Sequence, residues 1–183
     1  MYEAEQDTYC YVGTTVLKNK AGLRDQDQLN EFETAMTFAR AEEPLPVGRL
    51  SVTHYCRIHH HLFQDVYRWA GKYRNVRLSK AGSMFCYPEH IDREMTRVFG
   101  ELKDEGFLRA SVAARFLSEL NAIHPFREGN GRTQSTFLAL VADQAGHPLD
   151  LEQLDPDSML AAMITSFNTD EKPLTVVIRR LIA

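Results

Sequence analysis

The sequence predicts an all-α fold, a helical bundle with one short projecting β-hairpin, as a single domain over residues 1–183. Apolar residues recur at helical spacing through most of the chain, and only residues 74–87 switch to polar/apolar alternation around a glycine turn. There is no internal repeat and no low-complexity tract. A length of 183 residues with 44% hydrophobic and 25% charged content is ordinary for a globular chain that builds its core without disulfide or metal staples.

In chain order, Leu29, Phe32, Met36 and Ala39 define a helix over Asp27–Glu43, which Pro44-Leu45-Pro46-Val47-Gly48 breaks. A second helix is predicted from Ser51 to Trp69, with Val52, Tyr55, His59, Leu62, Phe63 and Val66 on one face. Arg74-Asn75-Val76-Arg77-Leu78, a turn through Ser79–Ser83, and Met84-Phe85-Cys86-Tyr87 read as the hairpin. Ile91, Met95, Val98 and Leu102 form the next helical stripe, stopped near Gly106. Val112, Phe116, Leu120 and Ile123 precede the central loop, and Phe137, Leu138, Leu140 and Val141 follow it. Asp155-Pro156 has the pattern of an N-cap followed by proline at the first helical position, opening a helix with Met159, Met163, Ile164 and Phe167. Pro173 starts a last apolar segment, Leu174 to Ile182.

A net charge of -4 gives no general attraction to nucleic acid or to anionic membranes. Cys10, Cys56 and Cys86 are too few and too widely spaced for a disulfide framework, and they fit a reducing cytosol. No apolar run reaches membrane-spanning length, and Met1–Glu5 is acidic rather than signal-like, so the expected location is cytoplasmic.

The most informative segment is His124-Pro125-Phe126-Arg127-Glu128-Gly129-Asn130-Gly131-Arg132, a loop between two predicted helices. Gly129, Asn130 and Gly131 at the start of the second helix can turn backbone N–H groups toward an anion. Arg132 in the first turn opposes the helix dipole, a placement that makes sense if a phosphate lies between them. Glu128 suits Mg²⁺, which prefers carboxylate, phosphate and water oxygens. A neutral His124 imidazole could accept a hydroxyl proton, since histidine has an ordinary pKa of about 6.5. Phe126 and Pro125 read as core anchors. Together these residues point to nucleotidyl or phosphoryl transfer from a Mg-nucleotide to a hydroxyl. The chain has neither the P-loop pattern nor the protein-kinase signatures. His59-His60-His61 is no metal site, because consecutive helical residues diverge by about 100°.

The nine-residue motif resembles the signature of Fic-domain proteins, whose typical activity is AMPylation, the transfer of AMP from ATP to a target hydroxyl. The likeness extends to the N-terminal segment Tyr11–Lys20, to Ile58–Gly71, and to Ser79-Lys80 and Met84-Phe85, where the family's target-docking flap falls. It implies that His124 is the general base and that Glu128 holds Mg²⁺ between the α- and β-phosphates. It also implies that Gly129, Asn130 and Gly131 cradle the phosphates and that Arg132 contacts the β-phosphate. Ser79 and Lys80 would contribute to nucleotide binding, and Lys80, Met84 and Phe85 to docking of a target protein by strand pairing. A phosphotransferase relative has Lys where Gly131 stands, so glycine here implies the AMP-transferring orientation of ATP.

Two departures bear on activity. The family usually continues Gly-Arg-x-x-Arg, with the second arginine on the γ-phosphate, whereas this chain has Ser135 there. A charge-assisted phosphate hydrogen bond is worth about 1.5–3 kcal/mol, so its loss implies a tenfold or larger fall in productive ATP placement. The family's self-inhibitory Ser/Thr-x-x-x-Glu segment is absent: Ser166–Glu171 has Asp170 where the glutamate belongs. The chain thus resembles the toxin class, inhibited by a separate small antitoxin protein. Some of that class modify topoisomerases, making DNA gyrase or topoisomerase IV a target to consider. A degenerate scaffold that binds nucleotide or a partner, and a Fic enzyme with another donor, remain as alternatives.

Overall fold

The computed structural model of the chain describes residues 7–80, 83–105, 110–168 and 170–182. Among these residues the chain is helical apart from one small hairpin and its connecting loops, as the periodicity predicts. The expected turn at Ala81-Gly82, the helix stop at Gly106, Thr169 in the Ser166–Glu171 segment, and the acidic start Met1–Glu5 lie outside the described residues.

Helix α1 (Gln26–Ala41) is capped by Asp25, whose carboxylate accepts from the Gln28 amide. Helix α2 (Val52–Phe63) is capped the same way by Ser51 and buries Tyr55, Ile58, His59, Leu62 and Phe63. It stops at Phe63, short of the predicted Trp69. The extended N-terminal segment replaces the missing helical bonds, with Lys20 donating from its backbone to the Val66 carbonyl and from its side chain to that of Gln64. Trp69 instead sits in the following turns, stacked on Tyr67 with ring centroids 4.3 Å apart.

The hairpin pairs β1 (Ser79–Lys80) antiparallel to β2 (Ser83–Met84), with Ser79 opposite Met84 and Lys80 opposite Ser83. The ladder is shorter than the alternation suggested. Arg74, Val76 and Leu78 do point inward while Asn75 and Arg77 face solvent, but only Leu78 bonds across the hairpin, its carbonyl accepting from the Phe85 amide at 3.1 Å, while the Arg74 and Asn75 amides donate to the Pro125 carbonyl and the Tyr9 hydroxyl. Val76, Leu78 and Phe85 form a small apolar cluster beneath the hairpin.

Helix α3 (Ile91–Glu105) buries its Ile91, Met95, Val98 and Leu102 stripe against α4 (Ala110–Ile123). Helix α4 also packs on α5 (Asn130–Gln144), α6 (Pro156–Asn168) and α7 (Lys172–Leu181), and so runs through the centre of the bundle. Five rings from four helices and the central loop (Tyr55, Phe99, Phe116, Phe126 and Phe137) interlock at centroid distances between 5.2 and 6.0 Å. Burying each ring contributes about 2 kcal/mol. The α6 stripe is only partly covered. Ala162 and Ser166 make the buried contacts, while Met159, Met163 and Phe167 are half-buried and Ile164 is 55% exposed. No helix among the described residues is long and apolar enough to cross a membrane.

Candidate active site

The loop between α4 and α5 is held from below by side chains that do no chemistry. Phe126 is fully buried, stacked on His59 at 3.7 Å and on Tyr55 at 5.6 Å. The Asn130 side chain accepts from the Phe126 amide at 3.0 Å and donates to its carbonyl at 2.8 Å. This closes the loop on itself, so the Asn130 side-chain amide is spent on shape. His59 adds a second tie. Its Nδ1 accepts from the Gly71 amide at 2.8 Å, which makes Nε2 the donor to the Glu128 carbonyl at 3.0 Å. Burial holds its pKa down to about 3, so the ring is neutral as this pattern requires. Of its neighbours, His61 bonds the Arg40 carbonyl and His60 is exposed.

Arg127 provides a third tie, reaching Asp7 with Nε at 2.8 Å and Nη2 at 2.6 Å. Both side chains are nearly buried. The pair holds Asp7 below the usual carboxylate range against the opposing effect of burial. Nothing local in the sequence marks this pairing, because its partners are 120 positions apart. His59, by contrast, was legible as part of the buried face of α2.

His124 stands at the end of α4 with φ 49, the left-handed region that few non-glycine residues adopt. Its Nδ1 donates to the Asn121 carbonyl at 3.2 Å, so the basic lone pair resides on Nε2. Burial lowers its pKa to about 3, with Arg74 and Lys80 adding to the effect, and the imidazole is neutral. The Phe85 ring lies stacked on it at 4.0 Å. Glu128 accepts from the Gly129 amide at 2.9 Å, and burial raises its carboxyl above the usual range, with Glu33 adding repulsion. A carboxylate in that position gains from a nearby cation.

Gly129 has φ 81, and a Cβ there would come within 2.3 Å of Phe63, so the glycine is required both by backbone and by space. Gly131 meets nothing within 4 Å and leaves open room instead. Arg132 lies over the Phe63 ring at 4.6 Å, pairs with Glu33, and has Glu128 at 3.9 Å. The Tyr67 hydroxyl also donates to Glu33. Glu33, absent from the sequence-based site, thus fixes the direction of the motif arginine.

His124, Gly131, Gln134, Ser135, Lys80 and Phe85 open on one cavity of roughly 470 Å³, within the usual range for small-molecule sites. Its far wall is the α6 stripe of Met159, Leu160, Met163, Ile164 and Phe167. Ser79 is paired in β1 beside Lys80, and Met84 is 55% exposed on β2. The structure therefore brings His124, Gly131, the flap and an apolar wall to one place, while Glu128 and Arg132 do not line this cavity and Arg132 turns toward Glu33 of α1 and Phe63 of α2. Among the described residues no group of three or more His, Cys, Asp or Glu side chains is arranged to hold a metal. The single Glu128 carboxylate fits an ion such as Mg²⁺, which takes most of its oxygens from phosphate and water.

Comparison with known proteins agrees with this architecture. Residues 49–142 match the Fic/DOC family. The chain is 49% identical over 189 residues to the probable protein adenylyltransferase y4lH of Sinorhizobium fredii, covering 99% of this chain and 98% of that protein. It is 35% identical to the protein adenylyltransferase VbhT of Bartonella schoenbuchensis over 98% of its own length, but spans only 40% of that larger protein. The crystal structure of BepC from Bartonella tribocorum with bound AMPPNP superposes with a TM-score of 0.86 at 26% identity, covering 96% of each chain. Motif, fold and relatives agree: the chain belongs to the Fic/DOC family.

Proposed function

We propose that this protein is an adenylyltransferase that moves AMP from ATP to a hydroxyl side chain of a target protein lying along the flap. The observation that carries the reading is the cavity shared by the neutral His124 imidazole, the open start of α5 at Gly131, and the apolar α6 wall. The backbone N–H groups at the start of α5 suit the phosphates, and the α6 wall suits the base. Glu128 would hold Mg²⁺, which when bound offsets phosphate charge. His124 accepts the hydroxyl proton on Nε2 while Asn121 holds the ring through Nδ1. Relatives named protein adenylyltransferases support the same reaction.

The test is transfer of label from α-labelled ATP, with Mg²⁺, into protein in a bacterial lysate. A labelled band is expected, weakened about 100-fold or more in His124→Ala, the usual span for removal of a general base. No label, or label indifferent to His124, rejects the reading.

Ser135 favours a second reading of the donor. It is exposed at the cavity mouth and offers a hydroxyl where a cation would hold a terminal phosphate. On this reading ADP serves nearly as well as ATP, and Ser135→Arg raises the ATP rate about tenfold while leaving ADP unchanged. A large ATP preference in the unmodified protein would remove it.

A further inference from the structure

Arg74 is 2% exposed, and its side-chain bonds go to four backbone carbonyls rather than to an acid. Nε donates to His124 at 2.7 Å and Nη1 to Val76 at 2.7 Å, while Nη2 serves Cys86 at 2.6 Å and Ile123 at 3.1 Å. Two of these carbonyls close the end of α4 and carry the catalytic histidine. The other two belong to the strand-like segments on either side of the flap. Backbone bonds run in parallel: the Arg74 amide donates to Pro125 at 2.9 Å, and the Cys86 amide to Ala122 at 3.0 Å.

We propose that Arg74 is a positioning residue that locks both roots of the flap to the His124 loop, so that a segment held by the flap arrives in fixed register with the imidazole. Only a guanidinium suits the task. It offers five N–H donors in one plane and keeps its charge when buried, whereas an ammonium has three donors on a single atom. The cation also sits at the C-terminal end of α4, where the helix dipole compensates part of its desolvation. Burial does depress its pKa, to about 10, leaving it charged at neutral pH. The same charge helps keep His124 neutral. The flap itself has a ladder of only two residues a side, too short to hold its own position. Phe85, which leaves the flap and stacks on His124, completes the coupling. The functional part of this inference rests on the reading of His124 as the base; the mechanical part does not.

Amide hydrogen exchange tests it directly. In Arg74→Lys and Arg74→Gln, the Phe85 and Cys86 amides are expected to exchange about tenfold faster or more, while the Ile178 amide in α7 stays within about twofold. Label transfer from ATP should fall about tenfold or more in both variants while ATP affinity, read by calorimetry, changes less than about threefold. Unchanged protection at Phe85 and Cys86 in Arg74→Gln overturns the proposal. So does an equal loss of protection in α7, which would make Arg74 a general prop of the fold. If neither variant folds, the unmodified protein decides. Opening of the Arg74, Cys86 and His124 amides as one unit supports the lock, and opening of Cys86 well before His124 refutes it. If the unmodified protein labels nothing, the proposed reaction fails while the exchange result still stands.

Discussion

The two walls of the cavity are made in opposite ways. Behind the loop wall, Phe126, Asn130, His59 and Arg127 are buried and each is bonded or stacked to a named partner. On the α6 wall, Leu160 is 56% and Ile164 55% exposed, and across the opening Phe167 meets Phe85 edge-on at 5.8 Å. Chemistry that moves a proton and steadies phosphate charge needs atoms placed within a few tenths of an ångström, and only an over-determined loop delivers that. Holding a flat apolar group asks only for area. The loop wall is therefore fragile in stability and in activity together, whereas the exposed members of the α6 wall, Leu160 and Ile164, can be changed with little cost to folding.

The strongest test of this contrast is Asn130→Ala. It strands the buried amide and carbonyl of Phe126 and should cost about 2–4 kcal/mol in urea unfolding. Ile164→Ser on the opposite wall should stay within about 0.5 kcal/mol. Equal costs would erase the distinction. Gly129→Ala comes next: the left-handed backbone and the Phe63 ring together should cost about 2 kcal/mol, seen as a lowered Tm, whereas Gly131→Ala is tolerated by the fold.

A pH series sharpens the comparison further. His59 and His124 have folded pKa values near 3, well below the unfolded value, so the unfolded chain binds more protons as pH falls below about 6.5. Stability is then fully present above that pH and is lost on acidification, with each ring contributing up to about 1.4 kcal/mol per pH unit. Between pH 6 and pH 5, roughly, carboxylates of ordinary pKa have barely begun to titrate, and His59→Gln should remove about half of the slope due to the two rings. Ile164→Ser should leave the slope untouched. The smallest effect belongs to Leu160→Ala, expected to weaken ATP binding about threefold by calorimetry with Tm nearly unchanged.

What could be read beforehand follows the same division. Residues His124 to Arg132 stand out as a candidate site because a histidine, a carboxylate, two glycines and an arginine occur in one run. Helices with a buried stripe, such as α3 and α4, were equally plain. The α6 stripe was visible as a helix face, but its half-open wall was not, because periodicity reports an apolar face and not whether another helix or a ligand covers it. Trp69 was assigned to α2 because nothing nearby announces that Lys20 takes the carbonyls beyond Phe63. Arg74 looked like the polar member of an alternating strand, since a cation buried among carbonyls leaves no acidic partner to notice. Glu33 and Asp7 escaped for a simpler reason: each acts on the loop across a long stretch of chain.

The clasp between Asp7 and Arg127 has a consequence for the order of assembly. During synthesis the carboxylate emerges first and must wait through 120 further residues before its guanidinium exists. Contacts so distant along the polymer are slow to close and come late in folding. A ribosome-bound chain would therefore carry α1, α2 and the flap long before it carried His124, and on the proposed function competence would switch on only when the two ends of that long loop had met.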